Sequence, residues 1–345
     1  MSNQIVAVAA GNSHSLALLE SGLVYSWGDN EYGQLGINTF ENREKSSGFK
    51  LIETIPGRVV ALAAGAFHSL ALLESGEVYG WGRNTEGQLG DGTTRSKNRP
   101  QLIKAIPDKI IGISAGRLHS LAIPKNGKVY VWGDNEFGQL GDGTTKMRMF
   151  PKLIKKIPGK VIDIAAGDYH SLALLEGGKI YSWGRNYFGQ LGDGTTKERT
   201  RPQLIKTIPG KVIRISAGTF HSLALLESGE VYVWGSNIYR QLGVNNIKAK
   251  ALPQLIEGIP GKVVNISSGD NYSLVLLESG KIYGWGWNDA GQLGPGKLTT
   301  FLFPKIISKG DKRLLFSSFG NSGRAVSFNE LERLLRTLLG QEFHL

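Results

Sequence analysis

Histidine, aspartate and a glycine-rich loop lie close together in the stretch GDYHSLALLEGGKIYSWGRNYFGQLGDGTT, residues 167–196. Histidine and aspartate could serve acid–base catalysis or metal binding, and LGDGTT superficially resembles a phosphate-binding loop. The same stretch recurs along the chain, however. Its tryptophans are 54 residues apart once and then 51 residues apart four times, at Trp27, Trp81, Trp132, Trp183, Trp234 and Trp285. Each residue must therefore be compared with its equivalents in the other repeats before it receives a chemical role.

The repeated histidines are predicted to be structural. They occupy one position of the repeat, at His14, His68, His119, His170 and His221. A metal site would need several of them within bonds of about 2.0–2.1 Å, and equivalent residues of successive units cannot converge that tightly. LGDGTT lacks the GxxxxGK[ST] pattern, so we interpret it as a turn. We therefore expect no metal site and no cofactor.

The composition narrows the class of protein. The sequence has no cysteine, which excludes disulfides, thiolate metal sites and cysteine nucleophiles. It contains no paired acid and base and no nucleophilic triad. The first residues lack a basic signal-peptide region, and no apolar run approaches the roughly 18 residues of a membrane helix, so we expect a soluble chain. The net charge of +11 favours an acidic protein surface, nucleic acid or anionic lipid as partner.

Each repeat is predicted to form four short strands. Within a repeat the first three strands are exemplified by KVIDIAAG (160–167), HSLALLE (170–176) and KIYSWG (179–184), and the fourth by PKLIKKI (151–157). These segments are β-branched or alternating and are bounded by Gly or Pro turn signals. Four-stranded antiparallel units repeated radially form a β-propeller. The sequence therefore predicts an all-β propeller.

The number of blades is predicted from copies of the first strand. Six copies are clear, and RLLFSS at 313–318 is a degenerate seventh. It precedes NELERLLRTLLG, where Asn329 caps a leucine stripe at helical spacing. We predict a seven-bladed propeller over 1–328 whose last blade is truncated, followed by an amphipathic C-terminal helix and tail over 329–345. That helix either covers the open edge or is a docking or export segment.

The repeat GKVxxIxAGxxHSLALLxSGxVYxWGxNxxGQLGDGTT resembles the regulator of chromosome condensation repeat family over residues 1–328. The resemblance implies a seven-bladed, protein-binding propeller whose best-known activity is guanine nucleotide exchange on the small GTPase Ran. A Ran-like GTPase is thus the expected partner of a monomeric chain in the cytoplasm or nucleus, and no covalent chemistry is expected. The alternative is a non-catalytic adaptor for a GTPase, chromatin, nucleic acid or another protein. It includes a bacterial effector secreted into the host cytosol, with 329–345 as export signal.

A partner site should use residues that differ between repeats. The segments after AAG and after WG vary most, and strands running alternately up and down place both segments on one face. Arg240 replaces a glycine of the other repeats, Trp287 lies outside the anchor position, and KMRMF (146–150) is apolar on an outer loop. The predicted partner-binding residues are Arg117, Asp168, Tyr169, Arg185, Tyr187, Tyr239, Arg240, Asp270, Asn271, Tyr272, Trp287, Met147, Met149 and Phe150.

Overall fold

The computed structural model describes residues 4–41, 48–289, 291–293 and 300–308. Within these ranges the regular secondary structure consists entirely of β-strands. The 24 strands form six sheets of four. Neighbouring strands in each sheet are consecutive in the chain and antiparallel. Each sheet is one blade of a propeller, and we number the blades 1 to 6 in chain order.

The strands of the blades have closely similar bounds. The first strands are β1 (Ile5–Ala10), β5 (Val59–Ala64), β9 (Ile110–Ala115), β13 (Val161–Ala166), β17 (Val212–Ala217) and β21 (Val263–Ser268). The second strands are β2 (His14–Leu19), β6 (His68–Leu73), β10 (His119–Pro124), β14 (His170–Leu175), β18 (His221–Leu226) and β22 (Tyr272–Leu277). The third strands are β3 (Val24–Gly28), β7 (Val78–Gly82), β11 (Tyr130–Gly133), β15 (Ile180–Gly184), β19 (Val231–Gly235) and β23 (Ile282–Gly286). The fourth strands are β4 (Lys50–Leu51), β8 (Lys97–Leu102), β12 (Arg148–Leu153), β16 (Arg199–Leu204), β20 (Lys250–Leu255) and β24 (Phe301–Ser308).

The first strands lie nearest the propeller axis. The first strand of each blade contacts that of the next, from β1 against β5 to β17 against β21. Close approach of the blades there requires small residues. A Cβ on Gly167 would stand 2.3 Å from Cε1 of His170 and 2.6 Å from the carbonyl oxygen of Gly218 in the next blade. Only glycine therefore fits at the end of this strand.

A bulge at the start of the first strand exposes one aliphatic residue in blades 2 to 6. In β13 the pairing with β14 shifts between Val161 and Asp163, so Ile162 is the extra residue and is 44% exposed. The equivalent residues Val60, Ile111, Ile213 and Val264 are 38–50% exposed. These side chains lie at the opposite end of the first strands from the AAG segments.

Tryptophans join neighbouring blades at their seams. Trp183 is fully buried, and its indole Nε1 donates to the carbonyl of Gln139 in the preceding blade at 2.8 Å. Ser171 donates its hydroxyl proton to the same carbonyl at 2.9 Å. Trp81, Trp132, Trp234 and Trp285 make the equivalent bond at 2.8–2.9 Å. Truncating such a tryptophan to alanine should cost about 3–5 kcal/mol of stability.

The repeated histidines also join blades, which confirms that they are structural. His119 Nε2 lies 3.0 Å from Ser171 Oγ of the next blade, and His14, His68, His170 and His221 make the same contact at 2.9–3.0 Å. Because the serine hydroxyl gives its proton to a glutamine carbonyl, the imidazole Nε2 must be the donor to it. The Nδ1 atoms are buried without a hydrogen-bond partner. Burial lowers the pKa of each of these histidines to about 3.

The prediction of seven blades with a C-terminal helix was wrong. The structure has six four-stranded blades, and the sixth is completed by its own fourth strand, β24. The prediction counted RLLFSS as a degenerate first strand. A blade is joined to its neighbours by its tryptophan, however, and residues 309–345 contain no tryptophan. The described residues include no helix. The expected strand at 313–318 and helix at 329–345 lie outside the described residues.

The first strands occur where the sequence places them, from 5–10 to 263–268. The fourth strand differs. It was expected at 151–157 but spans Arg148–Leu153, because pairing already begins at Arg148, opposite Gly133, before the apolar residues.

Candidate functional site: the loop face

The two most variable segments of each blade lie side by side. The backbone N–H of Arg185, just after the third strand, donates to the carbonyl of Tyr169, just after the first strand, at 2.9 Å. Trp287 makes the same bond to Asn271 at 2.9 Å. This confirms that both segments lie on one face of the propeller. We call the surface formed by the first-to-second and third-to-fourth connections the loop face.

Repeated polar residues build the loops from within. In blade 4, Asn186 is fully buried; its Oδ1 accepts from the Leu191 amide at 2.9 Å and its Nδ2 donates to the Thr195 carbonyl at 3.0 Å. Asp193 accepts from the Thr195 amide at 2.9 Å and pairs with Arg199 at 2.7 Å. These bonds account for the repeated N, GQLG and DGT residues. LGDGTT is therefore a turn, as predicted.

In blade 4 the loop face carries an arginine enclosed by aromatic rings. The Arg185 guanidinium carbon lies 4.6 Å from the centroid of Phe137, 5.3 Å from Tyr169 and 5.3 Å from Phe220. Tyr169 and Phe220 are stacked at 6.0 Å with an interplanar angle of 13°. The rings come from blades 3, 4 and 5, so the cluster spans three blades. Each cation–π contact contributes about 0.5–1 kcal/mol at such a site, which holds the guanidinium in place.

The cluster continues outward to an exposed tyrosine. Phe188 lies 5.2 Å from Phe220 and packs edge-on against Tyr187 at 4.9 Å. Tyr187 is 69% exposed. Within the described part of the chain, rings rather than carboxylates surround the Arg185 guanidinium. The face thus presents a fixed positive charge beside an exposed aromatic ring.

Polar residues line the axial side of the same face. They are the first residues after the AAG-type segments of blades 3 to 6: Arg117, Asp168, Thr219 and Asp270. Arg117 Nη1 lies 3.7 Å from Asp168 Oδ2, and the Thr219 hydroxyl donates to Asp270 Oδ1 at 3.3 Å. Asp168 is only 3% exposed. Burial, with the nearby charge of Asp270, raises the pKa of Asp168 well above its usual value, and Arg117 opposes the shift.

Blades 5 and 6 contribute another aromatic contact to the loop face. Tyr239, 44% exposed, lies 6.0 Å from partly buried Trp287, and Gln241 Nε2 donates to Asn271 Oδ1 at 3.4 Å. Arg240 has φ 63°, where the equivalent glycines have φ of 74–79°. Arg240 therefore occupies the same left-handed region as the glycines at its repeat position.

Two groups of predicted residues lie elsewhere. Tyr272, which replaces the repeated histidine, is 2% exposed in the core, and its ring lies against Gly269. Met147, Met149 and Phe150 are exposed on or beside the outermost strand of blade 3, and the Phe150 ring covers Gly92 of blade 2. We leave Tyr272 out of the proposed binding surface, and we treat the methionine patch as part of the rim.

Sequence reasoning named Tyr169 but missed the other two aromatic partners of Arg185, Phe137 and Phe220. Phe137 and Phe188 share one repeat position with Tyr32 and Tyr239, so four of the six repeats are aromatic there. That enrichment on a variable loop was the available signal. Among the described residues, no group of three or more His, Asp or Glu could hold a metal ion. The described residues also include no helix long and apolar enough to cross a membrane.

Comparison with known proteins agrees with this architecture. The ultraviolet-B receptor UVR8 of Arabidopsis thaliana is 35% identical over 298 residues, which cover 85% of this chain and 67% of the receptor. The human E3 ubiquitin-protein ligase HERC2 is 35% identical over 316 residues, 88% of this chain but 6% of the ligase. The chain thus spans only a small part of the ligase.

Solved structures show the same fold. Human WBSCR16 superposes with a TM-score of 0.83 at 25% identity, covering 93% of this chain and 85% of that protein. Prp20p of Saccharomyces cerevisiae superposes with a TM-score of 0.79 at 27% identity, covering 97% and 85%. Its structure was described together with its binding to Gsp1p and histones. These similarities lend no support to the expectation of a bacterial effector.

The repeat frame, the seam tryptophans and the histidine–serine contacts extend through all the described blades. The profile of the RCC1-like domain matches residues 1–325, almost the whole of this frame. The chain therefore belongs to the family of RCC1-like domains.

Proposed function

We propose that this chain is a protein-binding propeller that holds a small GTPase of the Ran type on its loop face and promotes release of the bound guanine nucleotide. The observation that carries the proposal is the arginine–aromatic cluster around Arg185, with Tyr187 exposed beside it. Tyrosine, tryptophan and arginine dominate the energetically important centres of protein interfaces. Membership of the RCC1-like family and the binding of Prp20p to Gsp1p support a GTPase as the partner.

The electrostatics of the cluster suit an acidic patch on that partner. The guanidinium of Arg185 faces rings, so its N–H donors remain available for a carboxylate. The net charge of +11 would attract an acidic surface from a distance and raise the rate of encounter. Because stacking fixes the side chain in advance, less conformational entropy is lost on binding.

Exchange of nucleotide needs no covalent chemistry from the propeller. A GTPase fluctuates between nucleotide-bound and open forms, and a partner shifts this equilibrium only by its difference in affinity for the two forms. A rigid face that binds the open form more tightly would therefore accelerate release. A partner of this kind would place the chain in the nucleus or cytoplasm.

A non-catalytic adaptor is the second candidate, and the uniform blades favour it. In blades 2 to 5 the third-to-fourth connections all have the same length, 83–96, 134–147, 185–198 and 236–249. The resemblance to the family's exchange factors implies a protruding insertion on one blade, and the connections of these four blades contain none. An adaptor would hold a GTPase without exchange, or would bind another protein; histones are one example, since Prp20p binds them.

The direct test is release of fluorescent GDP from Ran in the presence of substoichiometric propeller. We expect acceleration with turnover that Tyr187→Ala reduces at least about tenfold. Ile162→Ala is the matched control, because it removes an exposed side chain at the opposite end of blade 4. Binding of Ran without acceleration would select the adaptor. Acceleration that Tyr187→Ala leaves unchanged would contradict the proposed surface, and absence of binding would contradict the GTPase as partner.

A further inference from the structure

Four lysines surround one hairpin on the side of the propeller opposite the loop face. The second-to-third connections and the segments that lead into the first strands form this side, which we call the hairpin face. In blade 3 its lysines are Lys109, Lys125, Lys128 and Lys155, and all four are exposed. Within the described ranges none of the four forms an ion pair. Blade 3 therefore carries an uncompensated positive charge on the hairpin face.

Backbone hydrogen bonds hold these four residues close together. The Lys125 N–H donates to the Lys109 carbonyl at 2.8 Å, so the two residues are neighbours across the first and second strands. The residue before Lys155 donates its N–H to the carbonyl of the residue after Lys128 at 2.9 Å. The hairpin 125–128 joins the two pairs. We call the four residues together the lysine surface.

The lysine surface departs from the repeat. Each of the other five blades has at least one glutamate at the equivalent positions: Glu20, Glu53, Glu74, Glu77, Glu176, Glu227, Glu230, Glu257 and Glu278. In blade 4 the Nζ of Lys160 lies 3.0 Å from the Glu176 carboxylate, and blade 5 has the equivalent ion pair at 2.9 Å. Lys109 and Lys125 occupy the positions of these pairs. Two ammonium groups, which repel each other, thus replace an ammonium and a carboxylate.

The replaced glutamate indicates the chemistry of a partner. A carboxylate brought by another molecule would take the place that Glu176 has in blade 4, and would pair with Lys109 and Lys125 at once. The hairpin backbone offers no cradle for a phosphate at Gly127 and Lys128, because the N–H groups of both residues donate within the hairpin at 2.9 Å. Recognition of an anion therefore depends on the lysine side chains.

An exposed aliphatic side chain beside the lysines favours a protein as the source of the carboxylates. Ile111, two residues after Lys109, is 50% exposed. A polypeptide can present acidic and apolar side chains within a few residues of each other, whereas a phosphate backbone presents charge without an apolar group.

We infer that the lysine surface binds an acidic segment of a protein partner, with one carboxylate shared by Lys109 and Lys125 and further carboxylates at Lys128 and Lys155. The inference goes beyond the proposed function, because the lysine surface lies on the hairpin face and leaves the loop face free. The chain would then connect two proteins, one bound at each face.

The probe for this inference is a short fluorescein-labelled peptide of glutamate and leucine, titrated with the full-length protein and followed by fluorescence anisotropy. The matched peptide has glutamine in place of each glutamate. We expect saturable binding of the acidic peptide that weakens with added salt, and affinity at least about tenfold lower for the glutamine peptide. A single-stranded oligonucleotide and vesicles containing phosphatidylserine test the other polyanions. Tighter binding of either of these, or no saturable binding of the acidic peptide, would overturn the inference.

Variants locate the binding surface. Lys125→Glu gives blade 3 the residue that every other blade has at this position, so the fold should tolerate it, and it should weaken binding of the acidic peptide at least about tenfold. Lys281→Glu is the matched control, because it makes the same change of charge on the exposed hairpin of blade 6, and it should change the affinity less than about twofold.

Unchanged affinity in Lys125→Glu would overturn the inference. Equal losses in Lys125→Glu and Lys281→Glu would also overturn it, because the peptide would then respond only to the net charge of the chain. No GTPase takes part in these measurements, so failure of Ran to bind would leave their results intact.

Discussion

Lowering the pH from about 7 to about 5.5 should destabilise the propeller through its repeated histidines. Burial lowers the pKa of each to about 3, and protonation would place an N–H at Nδ1, which has no hydrogen-bond partner. In the unfolded chain the pKa is about 6.5. A group whose folded pKa is lowered stabilises the fold above its unfolded pKa, and this stability is lost as the pH falls towards the folded pKa.

The magnitude follows from proton linkage. Between these two pH values each histidine should lower the free energy of unfolding by about 1.3 kcal/mol, and His14, His68, His119, His170 and His221 together by about 6 kcal/mol. Asp163 and Asp168 act with the opposite sign, because burial raises their pKa values, and they offset part of this loss. Native domains have only about 5–15 kcal/mol of stability, so the remaining change should be large.

Urea unfolding curves across this pH range measure the effect. His119→Gln removes one titrating group, so below pH 6.5 its free energy of unfolding should depend on pH less steeply, by about 1.4 kcal/mol per pH unit. Asp168→Asn should depend on pH more steeply than the wild type, because it removes an opposing group. Parallel pH profiles for the wild type and His119→Gln would refute the reasoning, as would NMR evidence of an imidazolium at any of the five repeated histidines in the folded protein at pH 6.

Three further predictions concern stability. Arg240 has φ 63°, a left-handed conformation that glycine adopts with less strain than alanine. In urea unfolding, Arg240→Gly should therefore be about 1 kcal/mol more stable than Arg240→Ala. Equal stability of the two variants would show that the backbone is not strained. Trp183→Phe removes the hydrogen bond to the Gln139 carbonyl and leaves a cavity, so it should lower the free energy of unfolding by about 2 kcal/mol. A change below about 0.5 kcal/mol would contradict a structural role for this hydrogen bond. Burial raises the pKa of Asp163 to about 6 against the opposing charge of Arg214, so its contribution to the free energy of unfolding is full below the usual aspartate pKa and is lost as the pH rises through 6. Between pH 4 and pH 7 the free energy of unfolding of Asp163→Asn should therefore rise by about 1–3 kcal/mol relative to that of the wild type. A difference that stays constant over this range would contradict the prediction.

The frame of the fold was visible in the sequence because it repeats. Strand β13 lies where KVIDIAAG predicted it, and the histidine contacts follow from equivalent residues in successive blades. The blade number was wrong because it was counted from one strand. The seam bond from tryptophan to the glutamine carbonyl needs both residues, and counting that pair would have given six.

The site could be predicted only in part. Alternating strand direction placed Tyr169 and Arg185 on one face, and the structure agrees. The rings that hold Arg185 come from three blades, however, and contacts between blades cannot be read from one repeat. Tyr272 was assigned to the surface because it differs from the histidines, yet its repeat position is buried in all six blades. The position in the repeat determined its burial, and the substitution did not change it.

The central claim is that the loop face binds the partner through Arg185, and the affinity of Ran for matched variants tests it most directly. Arg185→Ala removes the enclosed guanidinium of the loop face. Arg214→Ala makes the same change at an exposed arginine towards the opposite end of blade 5. We predict that Arg185→Ala weakens binding at least about tenfold and that Arg214→Ala changes it less than about twofold. Equal affinities for the two variants, or no binding of Ran by the wild type, would contradict the claim.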